Sequence, residues 1–164
     1  MKTLELFCGH KSFTKFILKH YPDATTITLD NEQSLCPTIC CDILEWDYQS
    51  LDYIPDILWV SPDCRSFSNQ AYGGYNPSRR HVDMMPLNET GVLGDKLLNK
   101  SIEIINYYLK INIDLIWFME NPRGTMFRSP LMKKLKHFQN RCRYCDYDDP
   151  RTKRTIKYNW EVRH

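Results

Sequence analysis

Asp56–Ser68 reads DILWVSPDCRSFS. Its apolar run, Ile57–Val60, breaks off in Ser61-Pro62-Asp63-Cys64. A short run with no polar alternation is the pattern of a strand buried on both faces of a parallel sheet. Pro62 cannot donate to a sheet ladder and helps close the strand. The stretch therefore predicts a strand over Asp56–Val60, with Cys64 displayed on the loop at its C-terminal end. Arg65, Ser66 and Ser68 follow at once. In open parallel sheets, ligands bind outside the carboxyl ends of the strands. A cysteine placed there suits nucleophilic chemistry, the alternative being a buried structural thiol.

The same arrangement recurs on both sides of this stretch. Thr3–Phe7 (TLELF) predicts a first strand, and Cys8-Gly9-His10-Lys11-Ser12 a tight loop after it. Phe13–His20 has helical spacing, with Phe13, Phe16 and Ile17 on one face. Strand, small-residue loop and helix together open a nucleotide-binding α/β unit. Thr25–Leu29 predicts a second strand tipped by Asp30, a carboxylate suited either to ribose hydroxyls or to capping the next segment. A short strand near Thr38–Cys41 ends in Asp42-Ile43, where an adenine ring would lie, and Trp46 and Tyr48 fall in a loop. Residues 69–94 carry Gly73, Gly74, Pro77, Pro86, Gly91 and Gly94, and predict a long lid-like loop bearing Arg79 and Arg80.

Asp95–Lys110 predicts an amphipathic helix with Asp95 as N-cap. Asp114–Met119 predicts a fifth buried strand, ending in Glu120-Asn121-Pro122-Arg123-Gly124. Leu131–Phe138 suggests a short basic helix and Arg141–Tyr147 another strand; Arg151–Lys157 is basic, and no closing element is evident before His164. The expected fold is α/β: a Rossmann-like, mostly parallel sheet flanked by helices, in one domain over residues 1–164, with a reduced C-terminal part. Cys8, Gly9, Asp30, Asp42, Cys64 and Glu120 would line one rim of that sheet.

Composition narrows the class. The 164 residues suffice for one domain with a real core. No apolar run approaches ~20 residues, so no membrane span is expected. An acidic residue and the Gly9-His10-Lys11 break interrupt the N-terminal stretch, unlike a signal peptide, and a soluble intracellular protein is expected. Seven cysteines, an odd number, do not read as a disulfide framework. Cys142-x-x-Cys145 with Cys36, Cys40 and Cys41 has the chemistry to hold zinc. The favoured reading has no metal: small buried cysteines plus one catalytic thiol. Charge is divided: residues 1–120 hold 10 Lys/Arg against 16 Asp/Glu, and residues 121–164 hold 12 against 4, balances of −6 and +8. A basic C-terminal segment on an acidic body suits a polyanion on one side, or is a solvated charged surface.

With these residues in place, the chain resembles the cytosine-C5 DNA methyltransferase family, especially its short phage and large-virus type. Glu5–Phe13 (ELFCGHKSF) resembles the first motif, Leu29-Asp30 the ribose-binding position, and Cys41-Asp42-Ile43 the adenine-side motif. Ser61–Ser68 resembles the nucleophile loop Pro-Pro-Cys-x-x-Phe-Ser, and Glu120-Asn121-Pro122 the Glu-Asn-Val/Pro motif. Residues 140–155 resemble the later strand pair of the short enzymes.

The resemblance implies S-adenosylmethionine as cofactor, held by Phe7, Cys8, Gly9, Asp30, Asp42, Ile43 and Pro62. It implies Cys64 as nucleophile and Glu120 as the acid that binds the cytosine ring. Gln139–Arg143 also matches the family's Gln-x-Arg-x-Arg pattern, making Arg143 a base-contacting candidate, although the strand-pair alignment competes for the same residues. Ser66, Ser68, Arg79, Arg80, Lys153 and Arg154 would contact DNA, the implied partner, with RNA as an alternative polymer. The family's target-recognition domain and final helix have no evident counterpart, which leaves as expectations a truncated chain, a partner or second subunit completing the C-terminal part, or an inactive protein. Asp63 stands where the family has proline, and a carboxylate beside Cys64 disfavours its thiolate. A catalytically weak relative that binds nucleic acid or a partner is the other reading this implies.

Overall fold

Seven strands form a single sheet in the order β3-β2-β1-β4-β5-β7-β6. In chain order the elements are β1 (Lys2–Leu6), α1 (Ser12–His20), β2 (Thr25–Asp30), β3 (Ile39–Cys40), β4 (Ile57–Val60), α2 (Glu89–Ile111), β5 (Ile116–Pro122), β6 (Phe138–Arg143) and β7 (Arg154–Asn159). The computed structural model describes residues 1–68, 83–122, 124–135, 138–143 and 154–159, the last two strands through their backbone. The first five strands are parallel. β7 is antiparallel to both β5 and β6, so β6 runs in the same direction as β5. The winding direction changes between β1 and β4, which pair directly. That is the switch point at which open α/β sheets bind ligands.

The two faces of the sheet are built differently. Leu4 and Leu6 pair with Leu58 and Val60, and these with Trp117 and Met119. All six are buried, in one cluster with Leu98, Ile102 and Ile105 of α2. The opposite face carries Thr3 and Glu5 on β1 and Trp59 on β4. Phe13 of α1 stacks on Trp59 there, with ring centroids 5.0 Å apart. Between β3 and β4 an aromatic plug packs against α2: Tyr48 Oη donates to Glu103 Oε1 at 2.6 Å and its ring meets Tyr107 edge-on.

Several sequence expectations need correction. The helix expected from Asp95 starts at Glu89, and its cap is Asn88, whose Oδ1 accepts the Gly91 N–H at 3.0 Å. Gly91 and Gly94 suggested loop, yet both are buried on the stripe that continues through Leu98, Ile102 and Ile105. The expected loop over residues 69–94 therefore ends before Glu89, and residues 69–82 lie outside the described residues.

In place of the basic helix at Leu131–Phe138 there is a short 3-10 helix, Pro130–Lys134, capped by the Ser129 hydroxyl, and Phe138 already belongs to β6. The strand expected at Arg141–Tyr147 thus lies three residues earlier at its start, with Tyr147 outside the described residues. A closing element does exist: part of the basic stretch, from Arg154, forms β7, inserted between β5 and β6. Cys36 and Cys40 are exposed and Cys41 half-buried, against the expectation of small buried thiols. Among the described residues there is no group of three or more His, Cys, Asp or Glu placed to hold a metal, and no helix is long and apolar enough to cross a membrane.

Candidate active site at the carboxyl edge of the sheet

Two loops flank the switch point, one after β1 and one after β4. The first, Phe7–Lys11, has positive φ at Phe7 (57°), Gly9 (47°) and Lys11 (58°). Glycine adopts this region freely; phenylalanine and lysine do so at a cost, which the surroundings must offset. The Cys8 N–H donates to the Leu29 carbonyl at 3.0 Å, tying the loop to β2. Asp30 Oδ2 accepts the Gly9 N–H at 2.9 Å, and its Oδ1 accepts the Glu32 N–H at 3.1 Å. The carboxylate thus holds the loop and also braces its own turn, while the N-cap of the following 3-10 turn is Glu32. A carboxylate offers about four acceptor positions, so Asp30 keeps capacity for hydroxyl donors. The Lys11 ammonium donates to the Cys36 carbonyl, linking the same loop to the turn after β2.

Glu5 was not singled out from the sequence. It is 3% exposed and accepts the Thr14 N–H at 3.0 Å, inside the first turn of α1. The helix has no side-chain cap of its own at Lys11, so a carboxylate from β1 does that work. Burial pushes the Glu5 carboxyl above its ordinary range, outweighing the hydrogen bonds from Thr14 that hold it down. A charged residue inside TLELF was the available signal, because an unpaired carboxylate is not tolerated in a buried strand. The Cys8 thiol is buried and pushed up by that burial, then by Asp30 and Glu5, so it is held as a thiol. Asp42 Oδ1 accepts the Leu44 N–H at 2.9 Å, bracing its own turn, and Ile43 is buried in the core cluster.

The second loop carries Cys64, half-buried, at the tip of β4. Neighbouring strand β5 is in register with β4, the last pair being Val60 with Met119, so Glu120 emerges one residue further along the same edge. Adjacent strands lie about 4.8 Å apart, which puts the Cys64 loop and Glu120 at one rim. Asp63 is not an unopposed charge. Its Oδ2 accepts Arg65 Nε at 2.7 Å and lies 2.6 Å from Nη2, and its Oδ1 accepts the Arg65 N–H at 2.9 Å. The hydrogen bond and charge of Asp63 raise the Arg65 pKa, and Cys64 adds a smaller contribution of the same sign. Pro62 is buried, and its carbonyl accepts Asn121 Nδ2 at 3.4 Å.

Other candidates fall in different places. Ser66 is buried at 2% exposure, and Ser68 forms an isolated antiparallel bridge with Gly124. Arg143 ends β6 opposite Arg154, which starts β7; Pro122 at the end of β5 pairs with Thr155, so all reach the same edge, with β7 between Arg143 and Glu120. Arg79, Arg80 and Lys153 lie outside the described residues.

A scan against protein-family models and a search of curated proteins gave no match. Solved structures do match. One is the Dnmt2 methyltransferase of S. pombe, with TM-score 0.62 and 13% identity over 100% of this chain and 53% of that one. Another is the Entamoeba histolytica methyltransferase EhMeth, with TM-score 0.61 and 14% identity over 97% of this chain and 52% of that one. The chain spans about half the length of these structures. At such identity the likeness concerns the fold alone: this chain shares the Rossmann-like α/β fold of these two methyltransferases.

Proposed function

We propose that the protein is a DNA cytosine-C5 methyltransferase that uses S-adenosylmethionine. The observation carrying this reading is the juxtaposition at the switch point. Cys64 lies on the loop after β4 and Glu120 near the carboxyl end of the adjacent parallel strand β5, and the Asp30-braced loop stands at the same end of β1 and β2.

The residues present fit the cofactor. At Gly9, where φ is positive, no atom lies within 4 Å of where a Cβ would stand, so the loop backbone faces open space. Asp30 has acceptor capacity left for the ribose hydroxyls, and Phe7, Cys8, Asp42, Ile43 and Pro62 complete the set assigned to the cofactor. When bound, S-adenosylmethionine supplies an electrophilic methyl group.

The chain's own residues do the remaining chemistry. The Cys64 thiolate adds to C6 of cytosine, and the ring electrons displaced make C5 nucleophilic. Glu120 hydrogen-bonds N3 and the exocyclic amine, offsetting negative charge as it builds in the ring. After C5 is methylated, loss of its proton and departure of the thiolate restore the aromatic ring. Asp63 stands where proline is usual in the family, and its pairing with Arg65 leaves Cys64 facing a neutralised neighbour, which supports a working nucleophile. A stacked base is out of reach of Cys64, so the target must be flipped out of the duplex. Ser68, Arg79, Arg80, Lys153 and Arg154 would hold phosphates around it, and Arg143 would contact the base. Ser66, being buried, would reach a phosphate only after the loop opens. A partner or second subunit would complete the C-terminal part.

The test is transfer of label from S-adenosylmethionine to cytosine in duplex DNA and, separately, in structured RNA, by wild type and Cys64→Ser. Label in DNA that disappears in Cys64→Ser is expected. No label in either polymer, or label that persists without Cys64, overturns the reading. Label in RNA alone overturns the choice of polymer.

A further inference from the structure

We propose that Thr125, with Gly124 beside it, is a positioning residue that fixes where Cys64 stands relative to Glu120. The proposal rests on the reading of Cys64 as nucleophile and Glu120 as ring-binding acid. The Cys64 turn closes through the Phe67 N–H, which donates to the Cys64 carbonyl at 3.0 Å. The carbonyl of that same residue accepts twice from Thr125, from its N–H at 2.7 Å and from its Oγ1 at 3.1 Å. One peptide residue thus joins the backbone of the nucleophile to a residue five positions past Glu120.

The junction is shielded. Phe67 is 1% exposed and Thr125 5%, so water does not replace a lost donor. It is also close. At Gly124 a Cβ would stand 2.2 Å from the Phe67 carbonyl oxygen and 3.1 Å from its carbon, against backbone that cannot swing away. Only glycine allows Ser68 and Gly124 to form their bridge at this separation. Upstream of Cys64, Asn121 Nδ2 holds the Pro62 carbonyl. Cys64 is therefore bracketed, at Pro62 and at Phe67, by donors from the segment that begins directly after Glu120. Both side chains named here, Asn121 and Thr125, are neutral donors.

Bond formation needs the thiol close to C6 while the carboxyl faces N3, and small misplacements of reacting groups carry large rate penalties. Thr125→Val keeps shape and backbone donor and removes Oγ1; Thr125→Ser keeps the hydroxyl. Three quantities are measured: kcat for methyl transfer, KM for S-adenosylmethionine, and the pH profile of iodoacetamide alkylation at Cys64. Alkylation is read by peptide mass spectrometry, since Cys36 and Cys40 are also exposed. Thr125→Val should lower kcat by about tenfold, leave KM for S-adenosylmethionine unchanged and shift the Cys64 profile. Thr125→Ser should restore both to within about twofold, and Gly124→Ala should lose more than Thr125→Val. The clamp is overturned if Thr125→Val matches wild type in kcat and in Cys64 alkylation, or if Thr125→Ser is as impaired as Thr125→Val. If wild type transfers no methyl group yet Thr125→Val still shifts the Cys64 profile, the clamp stands and the methyl-transfer reading falls.

Discussion

The loops after β1 and β4 have the same address, at the carboxyl tips of neighbouring strands, but are held by different chemistry. Carboxylates hold the first: Asp30 takes the Gly9 amide, and Glu5, behind the loop, caps α1. Neutral groups hold the second: Asn121 takes the Pro62 carbonyl, and Thr125 the Phe67 carbonyl. The donors and acceptors are reversed as well. Towards the neighbouring segments, the first loop's backbone gives the Gly9 hydrogen to Asp30, while the second's receives hydrogens from Asn121 and Thr125; within the second, Asp63 also accepts the Arg65 N–H. A loop that accepts a cationic sulfonium cofactor tolerates negative charge nearby. For the proposed thiolate in the second loop a nearby carboxylate favours the protonated thiol, and the one beside Cys64, Asp63, is paired with Arg65. Cys8 shows the contrast directly, since burial, Asp30 and Glu5 all push its thiol up.

This contrast can be broken at either loop. The largest effect is expected at Asp30. Asp30→Ala removes the loop's brace and the proposed ribose acceptor together, and should weaken S-adenosylmethionine binding by about a hundredfold, the loss of two or so charge-assisted hydrogen bonds. Binding to duplex DNA should change little; calorimetry with each ligand checks this, and equal losses in a folded variant would break the assignment.

A smaller effect is expected at Asp63. Asp63→Asn removes a carboxylate charge next to Cys64 and from the Arg65 pair, which favours the thiolate. Because the Arg65 side chain is 69% exposed, solvent screens the gain. Alkylation of Cys64 at neutral pH should speed up by about threefold. A slower rate would mean that Asp63 acts by orienting Arg65 rather than by its charge.

The smallest effect concerns Glu5 and appears in stability. Its carboxyl is raised in the folded state, so between the unfolded and folded pKa values the native protein binds more protons than the unfolded chain. Stability from this group is therefore present below the ordinary carboxylate pKa and is lost as pH rises through the folded value. Glu5→Gln should remove that slope. The advantage of Gln over Glu should be largest at neutral pH, under about 1 kcal/mol, and should shrink as pH falls towards the carboxylate range. Denaturant melts of both proteins across that range test it, and a constant difference would contradict the raised carboxyl.

What the sequence revealed follows from what kind of interaction made each feature. The first four parallel strands were legible to within a residue or so, because burial leaves an apolar run such as Ile57–Val60; β5 runs three residues past its expected end at Met119, to Pro122. The strand-tip positions followed from the same runs. The start of α2 was not legible, since Gly91 and Gly94 signal a loop locally and prove buried in a helix only in three dimensions. β7 was hidden for a related reason: Arg154–Asn159 alternates Ile156 and Tyr158 with polar residues, but its charges drew attention to the surface rather than to that period. At the proposed site, the residue types suited to its chemistry were visible: Cys64, Glu120 and Asp30. The residues that place them were not. Gly124 and Thr125 contact Phe67, more than fifty residues back along the chain, and nothing in their immediate neighbours announces it; Glu5 was signalled only as a charge inside TLELF, without its partner Thr14. Asp63 was legible as a problem but not as a solved one, because the sequence does not say that Arg65 folds back onto it.

The most direct test of a covalent role for Cys64 uses duplex DNA carrying 5-fluorocytosine. Fluorine at C5 cannot leave as a proton does, so a reaction proceeding through Cys64 stops at the adduct. With S-adenosylmethionine present, the account predicts a protein–DNA species that survives denaturation, carries the transferred methyl group, maps to the peptide containing Cys64 and is absent in Cys64→Ser. A protein that binds both the DNA and S-adenosylmethionine yet forms no such species, or forms it equally well without Cys64, would contradict the account.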